Sequence, residues 1–194
     1  MRLVKLALGM LAIGAWIGPS ILYAQTQAID ANKSRLTLRV FKSGMFSAFA
    51  HDHEIEAPIA EGGINSSANP TVQLRLDSRK MRVLDPGISV DNRAEIQHTM
   101  EGSGVLDVEH FPEISFRSTA ITKSGDAHWE VHGNLNLHGM NRPVLVLVSL
   151  EGGHYRGSAA FKQSAFGINP IRIAGGTVKV KDEVKIEFDI LPVR

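Results

Sequence analysis

The sharpest local signal of chemistry in this chain is the triplet His51-Asp52-His53. On an extended strand the two imidazoles share one face and Asp52 points to the other. Two imidazoles at that spacing make half of a zinc or copper site. A third ligand would have to come from His98, His110, His132 or His138 through the fold. The competing reading places His51 and His53 at the mouth of a cavity, where they hydrogen-bond the backbone or the headgroup of a ligand. No other ligand spacing lies nearby, so the expectation is no metal and no cofactor, with His51 and His53 as the alternative metal ligands.

Just before the triplet, Phe41, Met45, Phe46 and Phe49 form an apolar aromatic group. Such a group packs a core or lines the entrance of an apolar cavity. In a container whose ligand sits where a core would be, the two roles coincide. No catalytic apparatus is visible: the chain has no Gly-x-Ser-x-Gly elbow and no nucleophile–base pair at a telling spacing. A non-enzymatic protein is expected. Gly62-Gly63 reads as a turn and Gly102-Ser103-Gly104 as a helix-to-strand connection. Neither follows a strand and opens a helix, as a phosphate cradle would. Asn65-Ser66-Ser67 matches a glycosylation acceptor by letter only.

The first residues stand apart from whatever scaffold holds these groups. Arg2 and Lys5 precede an apolar run from Leu6 to Ile17, and Pro19-Ser20 breaks it before Leu22-Tyr23-Ala24. This is the grammar of a secretory signal peptide over residues 1–24, cleaved after Ala24, with the mature protein in the periplasm or outside the cell. An uncleaved anchor is the alternative, because Leu6 to Ala24 is nearly long enough to span a bilayer. The break at Gly18-Pro19 favours cleavage, leaving no integral membrane span. Residues 25–194 then make one domain, large enough to fold on its own core. The chain has no cysteine, so an exported protein here forgoes disulfides. Losing the segment's two cations takes the formal net charge from +1 to −1. No basic surface is implied, which argues against a nucleic-acid partner.

Residues 25–194 read as strand after strand. Leu36, Leu38 and Val40 alternate with Arg35, Thr37 and Arg39, and Val72, Leu74 and Leu76 with Gln73, Arg75 and Asp77. Ile114, Phe116, Ser118 and Ala120 alternate with Glu113, Ser115, Arg117 and Thr119. Trp129, Val131, Gly133, Leu135 and Leu137 alternate with Glu130, His132, Asn134, Asn136 and His138. Period-two patterns put one face on a core and one in water. Val144 to Val148 is apolar on both faces, which calls for cover on both sides or a ligand on one, and permits a homodimer. Val178 and Val180, a Lys181-Asp182 turn, and the alternating run Val184 to Ile190 read as a terminal hairpin. One segment breaks the rhythm: Asp91 to Glu101 reads as a short helix, started by Asn92 with Glu95 and stopped at Gly102. Its Ile96 and Met100 pack on the sheet. The expected fold is all-β, a closed antiparallel barrel of about eight strands with one short helix, because closure removes edge strands that little else here protects.

Several ordered pieces resemble the YceI-like family of periplasmic lipid-binding proteins. They are Ala28-Ile29-Asp30 with Lys33-Ser34; Val105 to Pro112 (VLDVEHFP); Ile114 to Thr119 (ISFRST); Gly133 to Gly139 (GNLNLHG); Arg142-Pro143-Val144; and Phe166-Gly167-Ile168. The resemblance covers residues 27–191. It implies a lipocalin-like barrel that sequesters, stores or transports a long isoprenoid or isoprenoid-quinone-like amphiphile, with no catalytic role. Lys162-Gln163-Ser164-Ala165 stand where the family often has an Arg and an Asp, so pairing built on those charges is not expected. Within this frame Phe46, Phe49, Phe116, Trp129 and Leu135 are the expected apolar wall and His51 and His53 the headgroup contacts. The alternative is a periplasmic metal- or haem-related accessory protein using the His51/His53 pair.

Overall fold

The computed structural model describes residues 26–43, 52–173 and 178–193. Within them the chain forms β1 (Thr26–Ala28), β2 (Arg35–Ser43), β3 (His53–Glu56), β4 (Ile59–Asn65), β5 (Thr71–Asp77) and β6 (Arg82–Val83). Helix α1 (Val90–Glu101) follows, then β7 (Glu113–Gly125), β8 (His128–Leu137), β9 (Met140–Glu151), β10 (His154–Lys162), β11 (Arg172–Ile173) and β12 (Val178–Ile190). All pairings are antiparallel, in one sheet ordered β1-β4-β5-β7-β8-β9-β10-β12-β2-β3-β6, with β11 on the side of β12. The signal-peptide segment, Met45, Phe46, Phe49 and His51 lie outside the described residues.

The all-β reading holds, but the closed barrel of about eight strands does not. Among the described residues the sheet has twelve strands and curls into an open half-barrel, because its end strands β1 and β6 do not pair with each other. Closure was expected as the remedy for bare edges, and the edges are managed differently. Both end strands are only two or three residues long, which gives another chain little to pair with. The β6 edge is also covered: the Gln97 side chain on α1 accepts from Val83 N (2.8 Å) and donates to Met81 O (2.9 Å). One amide thus stands in for a neighbouring strand. At the other end a single bridge, Ile29 to Pro192, ties β1 to the segment after β12, with Val193 N donating to Ala28 O at 2.7 Å.

Four local expectations are corrected by β-bulges and a cap. The Lys181-Asp182 "turn" is a bulge within one continuous strand, where the β12–β2 register shifts between Val180 and Val184. Gly62-Gly63 lies inside β4 and is no turn, beside a second register shift between Ile59 and Glu61. In β7 the register against β8 shifts between Ser118 and Ala120, so Ala120 turns outward and Ile121 takes the inner face. The helix begins one residue earlier than expected: Ser89 is the cap, its hydroxyl accepting from Asn92 N at 3.2 Å, and Asn92 is the donor. Gly102 ends it in an extended conformation. Met100 is buried and Ile96 packs on the core, as the spacing requires.

The Asp182 bulge has a function in packing. Its carboxylate accepts from Ser164 N (2.8 Å) and Ser164 Oγ (2.6 Å), and Gln163 Nε2 donates to Lys181 O (2.7 Å). Polar pairing therefore exists at Gln163-Ser164, made without the Arg and Asp that the family often carries there. The hydrogen bonds from Ser164, with Lys162 nearby, hold the Asp182 pKa below its ordinary value against the opposing effect of burial. A depressed carboxylate contributes stability in full above the unfolded value, about 3.9, and loses it as pH falls through the lower folded value. Asp182→Ala should therefore lower the melting temperature at pH 7. Thermal unfolding across acid pH should show the gap to the native protein narrowing below pH ~4. A gap constant down to the acid limit would remove the ionised carboxylate from this clamp.

Candidate ligand-binding cavity

The inner faces of the strands do not meet in a filled core. They enclose a cavity of about 450 Å³, within the range of roughly 300–1,000 Å³ usual for small-molecule sites. β8 shows how the sequence builds its wall. Trp129, Val131, Leu135 and Leu137 face the cavity while His132 and Asn134 between them are exposed. β9 contributes Val144, Val146 and Val148, and β2 contributes Leu36, Leu38 and Val40. None of the described lining residues is charged; the polar ones are Asn65, Ser66, Ser67, Gln163 and the Tyr155 phenol.

The two ends differ. At one end Phe166, Met81 and Ile168 are almost fully buried, with Met100 of α1 and Leu106 against them. Phe161 meets Phe166 edge-on, with centroids 5.2 Å apart and ring planes at 81°. The segments that carry the family resemblance converge here. His138 Nδ1 donates to the Phe166 carbonyl (3.1 Å), its ring lies 4.6 Å from that of Phe111, and Arg142 Nε donates to Ala165 O (3.0 Å). Ser78, buried, donates from N to Pro112 O (2.8 Å) and from Oγ to Phe111 O (3.0 Å). His138 (φ 51°) and Gly139 (φ 70°) make the tight β8–β9 turn, where two left-handed residues match the strand twist. A β-carbon on Gly139 would sit 2.7 Å from the Phe111 ring, so glycine lets that ring close in. Asp107 accepts from His110 Nδ1 at 2.8 Å, and that bond raises the His110 pKa. These motif residues plug one end.

At the opposite end the lining includes Asn65 and the exposed Ser66, Ser67 and Pro70 of the β4–β5 loop. Trp129 and Tyr155, 6.3 Å apart and tilted at 60°, line the cavity near that end. The cavity therefore meets solvent beside the β4–β5 loop.

Of the residues expected in the wall, Phe116, Trp129 and Leu135 line the cavity. His53 does not line it. Its Nδ1 donates to Asp85 Oδ2 (2.6 Å), and Asp85, almost fully buried, also accepts from Glu54 N (2.7 Å). That carboxylate lies 32 residues along the chain, beyond any spacing rule. Among the described residues no group of three His, Asp or Glu side chains comes together in a way that could hold a metal ion. Sequence reasoning missed Asn65, Ser66, Ser67 and Gln163; the three-residue polar run at the end of β4 was the available signal. The two-faced β9 is resolved unexpectedly. Its inner valines face the cavity, while Leu145 and Leu147 stand 42% and 51% exposed on the outside.

An antiparallel half-barrel with an apolar lumen, uncharged along its described lining, and one plugged end defines a container class of protein. The YceI-like domain matches residues 27–191, and the chain belongs to that family. Among sequence relatives, a UPF0312 protein of Yersinia pestis (strain Pestoides F) is 36% identical over 110 residues, which is 53% of this chain and 50% of the relative. One from Pseudomonas savastanoi pv. phaseolicola is 32% identical over 87 residues, 40% of this chain and 45% of the relative. The matches thus span about half the length of these curated relatives. The fold is shared with Burkholderia cenocepacia BcnA (TM-score 0.59, 20% identity, 84% of this chain and 98% of that one). It is shared also with a polyisoprenoid binding domain from Saccharophagus degradans (TM-score 0.57, 14% identity, 84% and 95%).

Proposed function

We propose that this protein is an exported, non-enzymatic carrier or store for a long isoprenoid-type amphiphile held in the half-barrel. The observation that carries the reading is the lumen of about 450 Å³ with no charged residue among its described lining. Each methylene moved from water into it contributes about 0.8 kcal/mol, so a prenyl tail is retained without many polar contacts. The opposing costs are ordering that tail and desolvating its headgroup. The likeness in fold to a polyisoprenoid binding domain agrees with this reading. A headgroup would sit at the accessible end, within reach of Asn65, Ser66, Ser67 and the Tyr155 phenol, all able to hydrogen-bond a neutral oxygen. The N-terminal leader fits delivery to the periplasm or beyond, and no helix among the described residues is long and apolar enough to cross a membrane.

The test is mass spectrometry of organic extracts from the natively purified protein, with metals quantified on the same sample. A discrete long-chain isoprenoid or quinone at near-equimolar amount is expected. Protein that carries no lipid and takes up no added prenol, but holds stoichiometric metal, would overturn the reading in favour of a site at His51 and His53.

A further inference from the structure

Two aromatic side chains that line the lumen lie against glycines of the neighbouring strands. Gly133 on β8 sits between the lining residues Val131 and Leu135, and Gly157 on β10 between Tyr155 and Ala159. Both are therefore on the inner face by strand alternation. A β-carbon at Gly133 would overlap the ring of Phe116, which comes from the neighbouring β7. One at Gly157 would lie 2.7 Å from the ring of Phe188, directly opposite on β12. At Gly133 the ring is the nearest obstacle to a side chain; at Gly157 the Leu147 carbonyl is nearer still, and the Phe188 ring lies beside the bare glycine. The two rings flank β9, whose Val144 pairs with Gly133 and whose Val148 pairs with Gly157. Lying on the glycines, the rings leave Val144, Val146 and Val148 of β9 lining the cavity between them. Turned up, they would cross it.

We infer that the pairs Gly133–Phe116 and Gly157–Phe188 set the bore of the lumen and so determine how long a tail the protein accepts. This rests on the lumen being the binding site for an isoprenoid tail. A ring displaced from its recess would divide the cavity: a short prenol would still fit on one side, and a long one would no longer thread past. Both glycines also answer to the backbone: a β-carbon would come 2.7 Å from Arg117 O at Gly133 and 1.9 Å from Leu147 O at Gly157. The decisive variant therefore leaves both glycines alone. Phe116→Trp puts a larger, still apolar ring where the recess is sized for phenyl, and Phe188→Trp does the same on the other flank.

Displacement of N-phenyl-1-naphthylamine from the full exported protein, titrated with farnesol, geranylgeraniol and solanesol, reads tail length directly. Each tryptophan variant should lose about tenfold or more in affinity for solanesol while farnesol changes by less than about twofold, a loss of the size that overpacking produces. Xenon uptake, followed by ¹²⁹Xe NMR on folded protein, should fall in the same variants. A native protein that displaces the probe with none of the three prenols sinks the proposed function. Folded tryptophan variants with native xenon uptake and an unchanged length profile overturn the role of the recesses, whether or not the native protein binds prenols.

Discussion

Trp129→Glu should give a folded protein that no longer retains lipid. Trp129 is half-buried on the inner face of β8, close to Tyr155, in a lumen whose described lining has no cationic side chain to pair a carboxylate. Even a neutral polar group buried without a partner costs roughly 2–7 kcal/mol, and a carboxylate costs more. Binding should therefore weaken at least about thirtyfold, or the charge should drag water into the lumen and empty it. Because Trp129 lies near the accessible end, its glutamate can reach solvent in the empty protein and the sheet should persist. Phe116→Asp, deeper in the wall, should be as damaging to binding and harder on folding. Circular dichroism and lipid extraction on the same preparation read both effects. A folded Trp129→Glu protein with native lipid content would remove this residue from the wall.

The largest loss of stability is expected at the plugged end. Phe166 is 1% exposed, meets Phe161 edge-on, and its carbonyl accepts from His138. Truncating a buried phenylalanine to alanine costs about 3–5 kcal/mol in lost transfer energy and residual cavity. For a domain of this size that corresponds to a fall in melting temperature of about 10 °C. Phe166→Ala should nevertheless keep its lipid at low temperature, since Phe166 anchors the end of the lumen and lines none of it. Thermal unfolding with lipid extraction separates this outcome from that at Trp129. A shift below about 3 °C would mean that the motif residues do not plug this end.

These two residues also mark what the sequence could and could not show. The alternation in β8 was legible because Trp129 to Leu137 runs without a bulge, so period two holds from end to end. In β7 the same rule failed after Ser118, because one extra residue moves the side chains that follow it to the other face, up to a second shift at Lys123 to Gly125. At Lys181-Asp182 a bulge carries the same residue types as a turn, and only the partners Gln163 and Ser164 tell them apart. Closure was misjudged because a glutamine on a helix protecting a strand edge leaves no pattern along the chain. In the cavity, Phe116, Trp129 and Leu135 were legible as inward-facing apolar residues. The polar residues at its accessible end were not, since Asn65-Ser66-Ser67 gains meaning only when β5, β7 and β8 come round beside it. The recess under Phe116 was equally hidden. Gly133 reads as a weak point in a strand until a ring from another strand is laid on it.

The position of β12 bears on when the container exists at all. Strand β2, near the start of the domain, has β3 on one side and β12 on the other. Eight residue pairs of the β2–β12 ladder, from Lys179 with Ser43 to Asp189 with Arg35, join segments well over a hundred residues apart. Forming such a ladder means closing a very long loop, which slows folding. During synthesis or translocation from the N-terminus, β2 waits with one edge open until nearly the whole chain has been delivered. Loading must then follow the arrival of the last strand, so an occupied lumen is a certificate that the chain has finished folding.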